Sequence, residues 1–260
     1  SLSSVNKIDE MELNMKNDFY VFDEMALDGQ ITLFYSKPNS GKTLLFMHFI
    51  TDAIKRSVIK PEDVLYINAD DNYKGLLTKS KIAREYGFDM ISPADNGITP
   101  EEMIALLRKL AKTDDATGKI IILDTLKKFA DMMSKRSQAD LYNALRELVA
   151  KNATVILAGH ANKHSDKEGK LVYEGTSDTQ NDIDCMYAMY PLTELEGDVV
   201  IEFRREKSRG NNIYKVAYGY KREHDQTYEE LLNSVGKVDD LKCRLFVSNL
   251  CIFSINHEIC

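Results

Sequence analysis

Cysteine is scarce in this sequence, and none of the four residues forms a C-x-x-C pair. They are Cys185, Cys243, Cys251 and Cys260. No group of histidines and cysteines has the spacing of a zinc site, which argues against a zinc module. The pattern indicates free thiols in a reducing compartment, so we expect a cytoplasmic protein.

Long hydrophobic runs are also lacking. The longest apolar runs are far shorter than the roughly 20 residues that a membrane-spanning helix needs, so we expect no membrane partner. The first ten residues, SLSSVNKIDE, are charged and contain no apolar stretch of the kind found in secretion signals.

Positive charge is in deficit. The chain has 34 Lys and Arg residues against 41 Asp and Glu residues, which gives a net charge of −7. This balance argues against a broad basic face that coats duplex DNA, but it allows a few basic loops that hold one strand inside a ring.

The composition that remains is that of a globular domain. With 260 residues, 43% of them hydrophobic and 29% charged, the chain suits one large α/β domain with appendages. We expect an N-terminal arm or linker at 1–18, a nucleotide-binding domain at 19–238 and a tail of unknown role at 239–260.

The central motif is SKPNSGKT at residues 36–43. It lies between two apolar runs, 31–35 and 44–50, which is the strand, loop and helix context of a phosphate-binding loop. Backbone N–H groups and the helix dipole favour an anion there, Lys42 can reach the β- and γ-phosphates, and the Thr43 hydroxyl can bind Mg²⁺. The residues expected to contact the nucleotide are Ser36, Pro38, Asn39, Ser40, Gly41, Lys42, Thr43 and Leu44. Because Ser36 replaces the first glycine of the usual pattern, we expect backbone strain or an altered loop.

Alternating strand and helix patterns predict an α/β fold with a doubly wound, mainly parallel sheet flanked by helices. Antiparallel strands are expected to be added at the C-terminal side, because 199–205 and 213–220 are joined by a short connection. The carboxyl ends of the parallel strands should bring polar residues together around Lys42. They are Asp70, Asp71, Asp124 and His160.

Each of these polar residues has two interpretations. Asp124, after the apolar run IIIL, is either a magnesium ligand with Thr43 or a cap of the next turn. Asp70 or Asp71 either activates the attacking water or caps the helix predicted from Tyr73. His160 is either a sensor of the γ-phosphate or a satisfied core histidine.

Three basic segments remain. In RREKSRG, residues 204–210, Lys207 and Arg209 either reach the γ-phosphate of a neighbouring subunit or lie on a solvated strand end. The segments 126–137 and 161–181 are predicted to be loops, and they either bind nucleic acid or are simply solvated. Their candidate contacts are Lys127, Lys128, Arg136, Lys163, His164, Lys167 and Lys170 for phosphates, with Tyr173 for stacking on a base.

Five blocks together resemble the RecA-like ATPase superfamily, and within it the hexameric replicative helicases of the DnaB and plasmid RepA kind. The blocks are YSKPNSGKT, YINADD, IIILDT, VILAGHANK followed by YEGTSDTQNDID, and REKSRG. The likeness covers about residues 19–222, and the order of five blocks is more specific than any one of them.

The resemblance implies ATP hydrolysis with Mg²⁺ at the subunit interfaces of a homo-oligomeric ring, a hexamer, that moves on single-stranded DNA. A replication initiator or a primase would be a further partner. By motif, Lys42 and Thr43 match the phosphate and magnesium residues and Asp124 the aspartate of the second nucleotide motif. His160 matches the γ-phosphate sensor, Lys207 and Arg209 a K-x-R pair that acts on the neighbour, and Arg84 a residue that stacks on adenine.

One departure from the family bears on catalysis, since Asp70 stands where these helicases have a glutamate. A carboxylate about 1.5 Å further from the water favours slow turnover. The rival interpretation is therefore a nucleotide-binding regulator or assembly scaffold in which hydrolysis is slow or absent. A small-molecule kinase is a weaker third choice, because no arginine-rich insert resembles a lid.

Overall fold

The computed structural model describes residues 19–131, 134–175, 177–195 and 197–239. The predicted arm at 1–18 lies outside these ranges. Of the predicted tail at 239–260, only Asp239 lies inside them.

In these ranges the chain forms eleven strands and six α-helices. The strands are β1 (Tyr20–Phe22), β2 (Ala26–Leu27), β3 (Ile31–Ser36), β4 (Val64–Asn68), β5 (Asp89–Ile91), β6 (Ile120–Asp124), β7 (Thr154–His160), β8 (Cys185–Leu195), β9 (Asp198–Ser208), β10 (Lys215–Lys221) and β11 (Gly236–Val238). The helices are α1 (Lys42–Lys55), α2 (Tyr73–Tyr86), α3 (Pro100–Ala111), α4 (Lys135–Val149), α5 (Ser177–Asp182) and α6 (Tyr228–Asn233). Short 3₁₀ turns lie at Pro61–Asp63, Asp114–Ala116 and Leu126–Lys128.

Nine strands form one mixed sheet in the order β5-β4-β6-β7-β3-β8-β9-β10-β11. The strands from β5 to β8 pair in parallel, and β9, β10 and β11 extend the sheet in antiparallel pairs. The predicted class, a mainly parallel α/β sheet with antiparallel strands at its C-terminal side, is confirmed at this level.

Helices cover both faces because successive side chains of a strand point to opposite sides. In β6, Ile120 and Ile122 pack in a core with the apolar side chains of α1, whereas Ile121 and Leu123 pack in a second core with those of α3 and α4. A strand buried on both faces needs the continuous apolar run that the sequence shows. This burial holds the carboxyl ends of the central strands in register.

The segments predicted to be loops contain more structure than expected. Helix α4 begins at Lys135, where Ser134 caps it by accepting a hydrogen bond from the N–H of Ser137, so Arg136 is helical. The segment 161–181 contains a bridge between Ala161 and Tyr173 and the first residues of α5. Local hydrogen bonds therefore organise both polar segments.

None of the helices in the described ranges has both the length and the apolar character needed to cross a bilayer.

Candidate phosphate-binding site at the carboxyl edge of the sheet

The loop between β3 and α1 has the backbone of an anion cradle. Gly41 caps α1 with φ of 81°, a left-handed conformation, and no side chain caps the first N–H groups of that helix. A Cβ on Gly41 would lie 2.6 Å from the Tyr220 hydroxyl, so only glycine fits there. The α1 start therefore offers uncapped N–H donors next to a buried tyrosine of β10.

The other residues of the motif divide between the rim and the interior of the loop. Lys37, Pro38 and Asn39 are exposed, whereas Ser40 is nearly buried. Leu44 lies in the first turn of α1, and its side chain packs in the core. Its backbone is the part that remains for a contact with the nucleotide.

Ser36 does not carry the strain that its replacement of glycine suggested. It is fully buried as the last residue of β3, where it pairs with His160 of β7, and an extended backbone suits any residue. The expectation of backbone strain was therefore wrong, because β3 includes Ser36, one residue beyond the apolar run 31–35. The hydroxyl instead accepts a hydrogen bond of 2.7 Å from Lys42 Nζ.

Lys42 and Asp124 form the charged centre of the site. Only 7% of Lys42 and 2% of Asp124 are exposed. Burial lowers the pKa of Lys42 to about 8, although Asp124 and Asp70 partly offset it. Burial also raises the pKa of Asp124. Both groups are shielded from solvent, so a bound polyphosphate with a cation would add charge compensation to their hydrogen bonds within the protein.

The oxygen atoms needed for Mg²⁺ lie together. Thr43 Oγ1 and the Tyr66 hydroxyl each donate a hydrogen bond of 2.7 Å to Asp124 Oδ2. A hydroxyl and a buried carboxylate are the hard ligands that Mg²⁺ prefers. The residues present therefore fit the ion.

Asp70 and Asp71 have different surroundings. Asp71 accepts a hydrogen bond of 2.6 Å from Asn68 Nδ2 and forms an ion pair of 2.6 Å with Lys79, so its carboxylate is already used. Asp70 is exposed, and its charge acts on Lys42 and His160. The helix cap that both were suggested to provide comes from Asn72, which accepts from the Gly75 N–H. Of the two, Asp70 is the carboxylate available at the phosphate loop.

His160 ends β7 beside this centre. It is 8% exposed, Nε2 lies 3.5 Å from Thr125 Oγ1, and the buried Nδ1 has no partner among the described groups. Burial, followed by Lys42 and Lys127, lowers its pKa to about 4. At neutral pH it is therefore an uncharged imidazole with an unused nitrogen.

This pKa predicts an acid sensitivity of the fold. The unfolded chain binds a proton at His160 near pH 6.5 and the folded chain near pH 4, so the stabilisation is present above pH 6.5 and is lost as the pH falls towards 4. Urea unfolding across this range should show a steeper decline for the wild type than for His160→Asn. Equal slopes for the two proteins would contradict the assignment.

An open cavity of about 590 Å³ adjoins the loop, and its lining is basic. Lys37, Lys127 and Lys163 line it with His160, and Glu174 is the acidic residue of the lining. The other predicted phosphate contacts of the two basic segments are all exposed. They are Lys128, Arg136, His164, Lys167 and Lys170.

The segment 161–175 is a folded arm on this edge. Asn162 N–H donates to the Val172 carbonyl, and Asp166 accepts from the N–H groups of Glu168 and Lys170 in a tight turn. Tyr173 at its base is 3% exposed and packs against Tyr35. The expectation that Tyr173 stacks on a base was therefore wrong, since its ring belongs to the core.

Lys207 and Arg209 lie at the opposite edge of the sheet. Arg209 N–H donates to the Asp184 carbonyl, and Asp184 binds the backbone of Ile31, the first residue of β3. The Arg209 guanidinium pairs with Asp184 at 3.1 Å and is half exposed, and Lys207 donates to the Gln180 carbonyl. The length of β3, about 17 Å, separates this pair from the phosphate loop of the same chain.

Arg84 also lies away from the loop. It is an exposed residue in the last turn of α2, and Gly87 after this helix lies near Pro61, in the 3₁₀ turn that precedes β4. Since α2 runs back from the carboxyl edge, the structure does not bring Arg84 to the phosphate loop of its own chain.

Three residues of the site were missed in the sequence. Lys37 and Tyr66 lie within the quoted motifs, but neither pattern assigns them a contact. Tyr220 is 179 residues from Gly41 along the chain, and no local signal links the two.

A comparison of the chain with models of known protein families gave no match, and a comparison with curated proteins found no similar sequence.

Proposed function

We propose that this chain is a RecA-like, ATP-hydrolysing motor that forms a ring on single-stranded DNA, as the replicative helicases that it resembles do. The observation that carries the proposal is the division of charged groups between two edges. Lys42, Thr43, Asp124 and His160 meet at the carboxyl edge, and Arg209 is presented at the other. Such a chain has a complete site only where two copies meet.

The protein groups divide the work of hydrolysis among them. Lys42 and the first N–H groups of α1 bind the phosphates and balance the charge that develops during transfer. Asp70 orients the attacking water and accepts its proton. His160, uncharged at neutral pH, hydrogen-bonds the γ-phosphate through one nitrogen.

Thr43 and Asp124 would hold Mg²⁺, which supplies positive charge to the β- and γ-phosphate oxygens when bound. Tyr66 keeps Asp124 Oδ2 oriented by its hydrogen bond of 2.7 Å. This orientation matters because a misplaced carboxylate would weaken the site.

Arg209 contributes from the neighbouring subunit. A guanidinium that neutralises charge on a transferring phosphoryl group raises the rate by about 10³ to 10⁵-fold. Arg209 cannot reach the phosphate loop of its own chain, because the length of β3 lies between them. About half of the Arg209 side chain is exposed at the amino edge, where a neighbouring subunit could bind. A head-to-tail contact between copies would bring the two edges together.

Single-stranded DNA would bind the basic groups beside the carboxyl edge. Lys127 and Lys163 line the same cavity as the loop residue Lys37. Loss of the γ-phosphate can therefore alter the contacts of these lysines with a bound DNA strand. The arm at 161–175 carries further exposed lysines on a hydrogen-bonded turn.

A second function, an ATP-binding assembly scaffold with slow hydrolysis, is favoured by one observation. Asp70 is the carboxylate available to activate water, and it is shorter than glutamate. Under this alternative ATP would still drive assembly, but turnover would not respond to DNA.

Light scattering with and without Mg·ATP and an oligonucleotide, beside an ATPase assay, separates the two functions. For the motor we expect ATP-dependent oligomers, ATPase activity stimulated by single strands, and DNA binding that weakens as salt increases. Lys127→Ala with Lys163→Ala should weaken DNA binding, whereas Lys112→Ala, at the end of α3, should not. ATP-dependent oligomers without DNA stimulation would support the scaffold, and full turnover by a monomer would exclude the ring.

A further inference from the structure

The phosphate loop contains a hydroxyl at the position where its pattern usually has a glycine. Glycine has no side chain to offer Lys42, whereas the buried Ser36 places Oγ at 2.7 Å from Lys42 Nζ. The substitution has therefore added an acceptor for the ammonium group that is meant to bind phosphate.

The neighbouring groups direct further loop donors to the same place. Ser36 Oγ lies within hydrogen-bonding distance of Ser40 Oγ, and both hydroxyls lie within reach of the Lys37 carbonyl, at 3.1 Å and 2.9 Å. Their two protons can serve two of these three contacts at a time. Lys42 Nζ lies 3.4 Å from that carbonyl. In this arrangement the Lys42 ammonium group and the two serine hydroxyls find their acceptors among oxygen atoms of the loop itself.

Such a contact competes with a phosphate. An ammonium has three protons, and hydrogen bonds from a charged donor in a buried site are stronger than neutral ones. Because 7% of Lys42 is exposed, water cannot replace an acceptor that is lost. A phosphate oxygen must therefore displace Ser36 Oγ or share the group with it.

We propose that the Ser36 hydroxyl is an internal competitor that occupies Lys42 and reduces the affinity of the loop for a nucleoside triphosphate. Ser36 is thus a positioning residue that acts through Lys42. The inference rests on the proposed function, since it assumes that the loop binds a triphosphate.

The test compares Mg·ATP binding by calorimetry in the wild type, Ser36→Ala and Ser36→Gly. We expect both variants to bind about tenfold more tightly at pH 6.5, because Lys42 is charged and has lost its internal acceptor. Thr32→Val is the matched control. It removes a hydroxyl from the same strand, and Thr32 Oγ1 is buried without a partner among the described groups, so its affinity should equal that of the wild type.

A second readout needs no nucleotide. In the ligand-free protein the ¹⁵N signal of the Lys42 ammonium group reports which acceptors it contacts. At pH 6.5 this NMR signal should change in Ser36→Ala and Ser36→Gly, because the contact of 2.7 Å is lost, and should stay the same in Thr32→Val. A role of Ser36 in packing alone would leave the signal unchanged.

The outcomes separate the two ideas. Tighter binding in both variants with a changed NMR signal of the Lys42 ammonium group supports the inference. If the wild type binds Mg·ATP and Ser36→Ala binds equally or more weakly, or if only Ser36→Gly binds more tightly, the inference is wrong and the proposed function stands. If neither the wild type nor the variants bind Mg·ATP, both are wrong. Circular dichroism confirms that the variants are folded.

Discussion

Lys42→Ala is expected to abolish ATP turnover, with a loss of at least about 10²-fold in kcat/KM. The physical reason is that Lys42 is the buried cation of the loop, charged below a pKa of about 8 and close to both Asp124 and Asp70. Without the Lys42 ammonium group, the phosphates lie near the buried Asp124 carboxylate, and no fixed positive charge offsets their repulsion. Steady-state ATPase assays and binding of Mg·ATP by calorimetry measure the effect.

Two controls make the Lys42 result specific. Lys42→Met keeps the length of the side chain and should behave like Lys42→Ala, which separates charge from packing. Lys112→Ala removes an exposed lysine after α3 and should retain full activity. Unchanged turnover in Lys42→Ala would refute the phosphate-loop assignment.

Arg209→Ala is expected to reduce ATPase activity by about 10³-fold or more while nucleotide binding by each chain stays nearly intact. Arg209 lies at the amino edge, far from its own loop, so under the proposed function it would act on the nucleotide of a neighbour. Asp184 keeps its contacts with Arg146 and with the Ile31 N–H in the variant, so the fold should persist. Turnover and binding are measured on the same preparation.

Mixing the two inactive variants tests the action between subunits directly. In a mixed ring, roughly one interface in four pairs an intact Lys42 from one chain with an intact Arg209 from the next. Activity should therefore reappear on mixing Lys42→Ala with Arg209→Ala. A mixture that forms oligomers yet stays inactive would remove the proposed role of Arg209.

The sequence predicted the fold well where the signal is local. The strand and helix pattern predicted parallel strands that lead to the phosphate loop, Asp124 and His160, and these strands do lie in the parallel part of the sheet. Sheet topology then brought the ends of these strands together without any further assumption. The capping box at Thr99 and Glu102, which begins α3, is likewise a local pattern of the sequence.

What the sequence could not predict depends on contacts between distant residues. The string ADD leaves either Asp70 or Asp71 as the candidate base, and the contacts of Asp71 with Asn68 and Lys79 distinguish the two carboxylates. Tyr173 looked like an exposed loop aromatic, but packing against Tyr35 places it in the core. Polar segments such as 161–175 satisfy their backbone through turns that no hydrophobic period reveals.

The antiparallel ribbon of β9 and β10 has a consequence for the order in which the subunits of a ring would hydrolyse ATP. Arg209 follows one end of β9. At the far end of β10, Tyr220 pairs with Val199, about 33 Å from Arg209 along β9, and its hydroxyl lies beside Gly41 of the loop in its own chain. If Arg209 contacts the nucleotide of the next protomer, the stiff β9–β10 ribbon connects two nucleotide sites. Hydrolysis at one site would then displace the phosphate loop of the other, so the subunits would hydrolyse ATP in sequence and not at random.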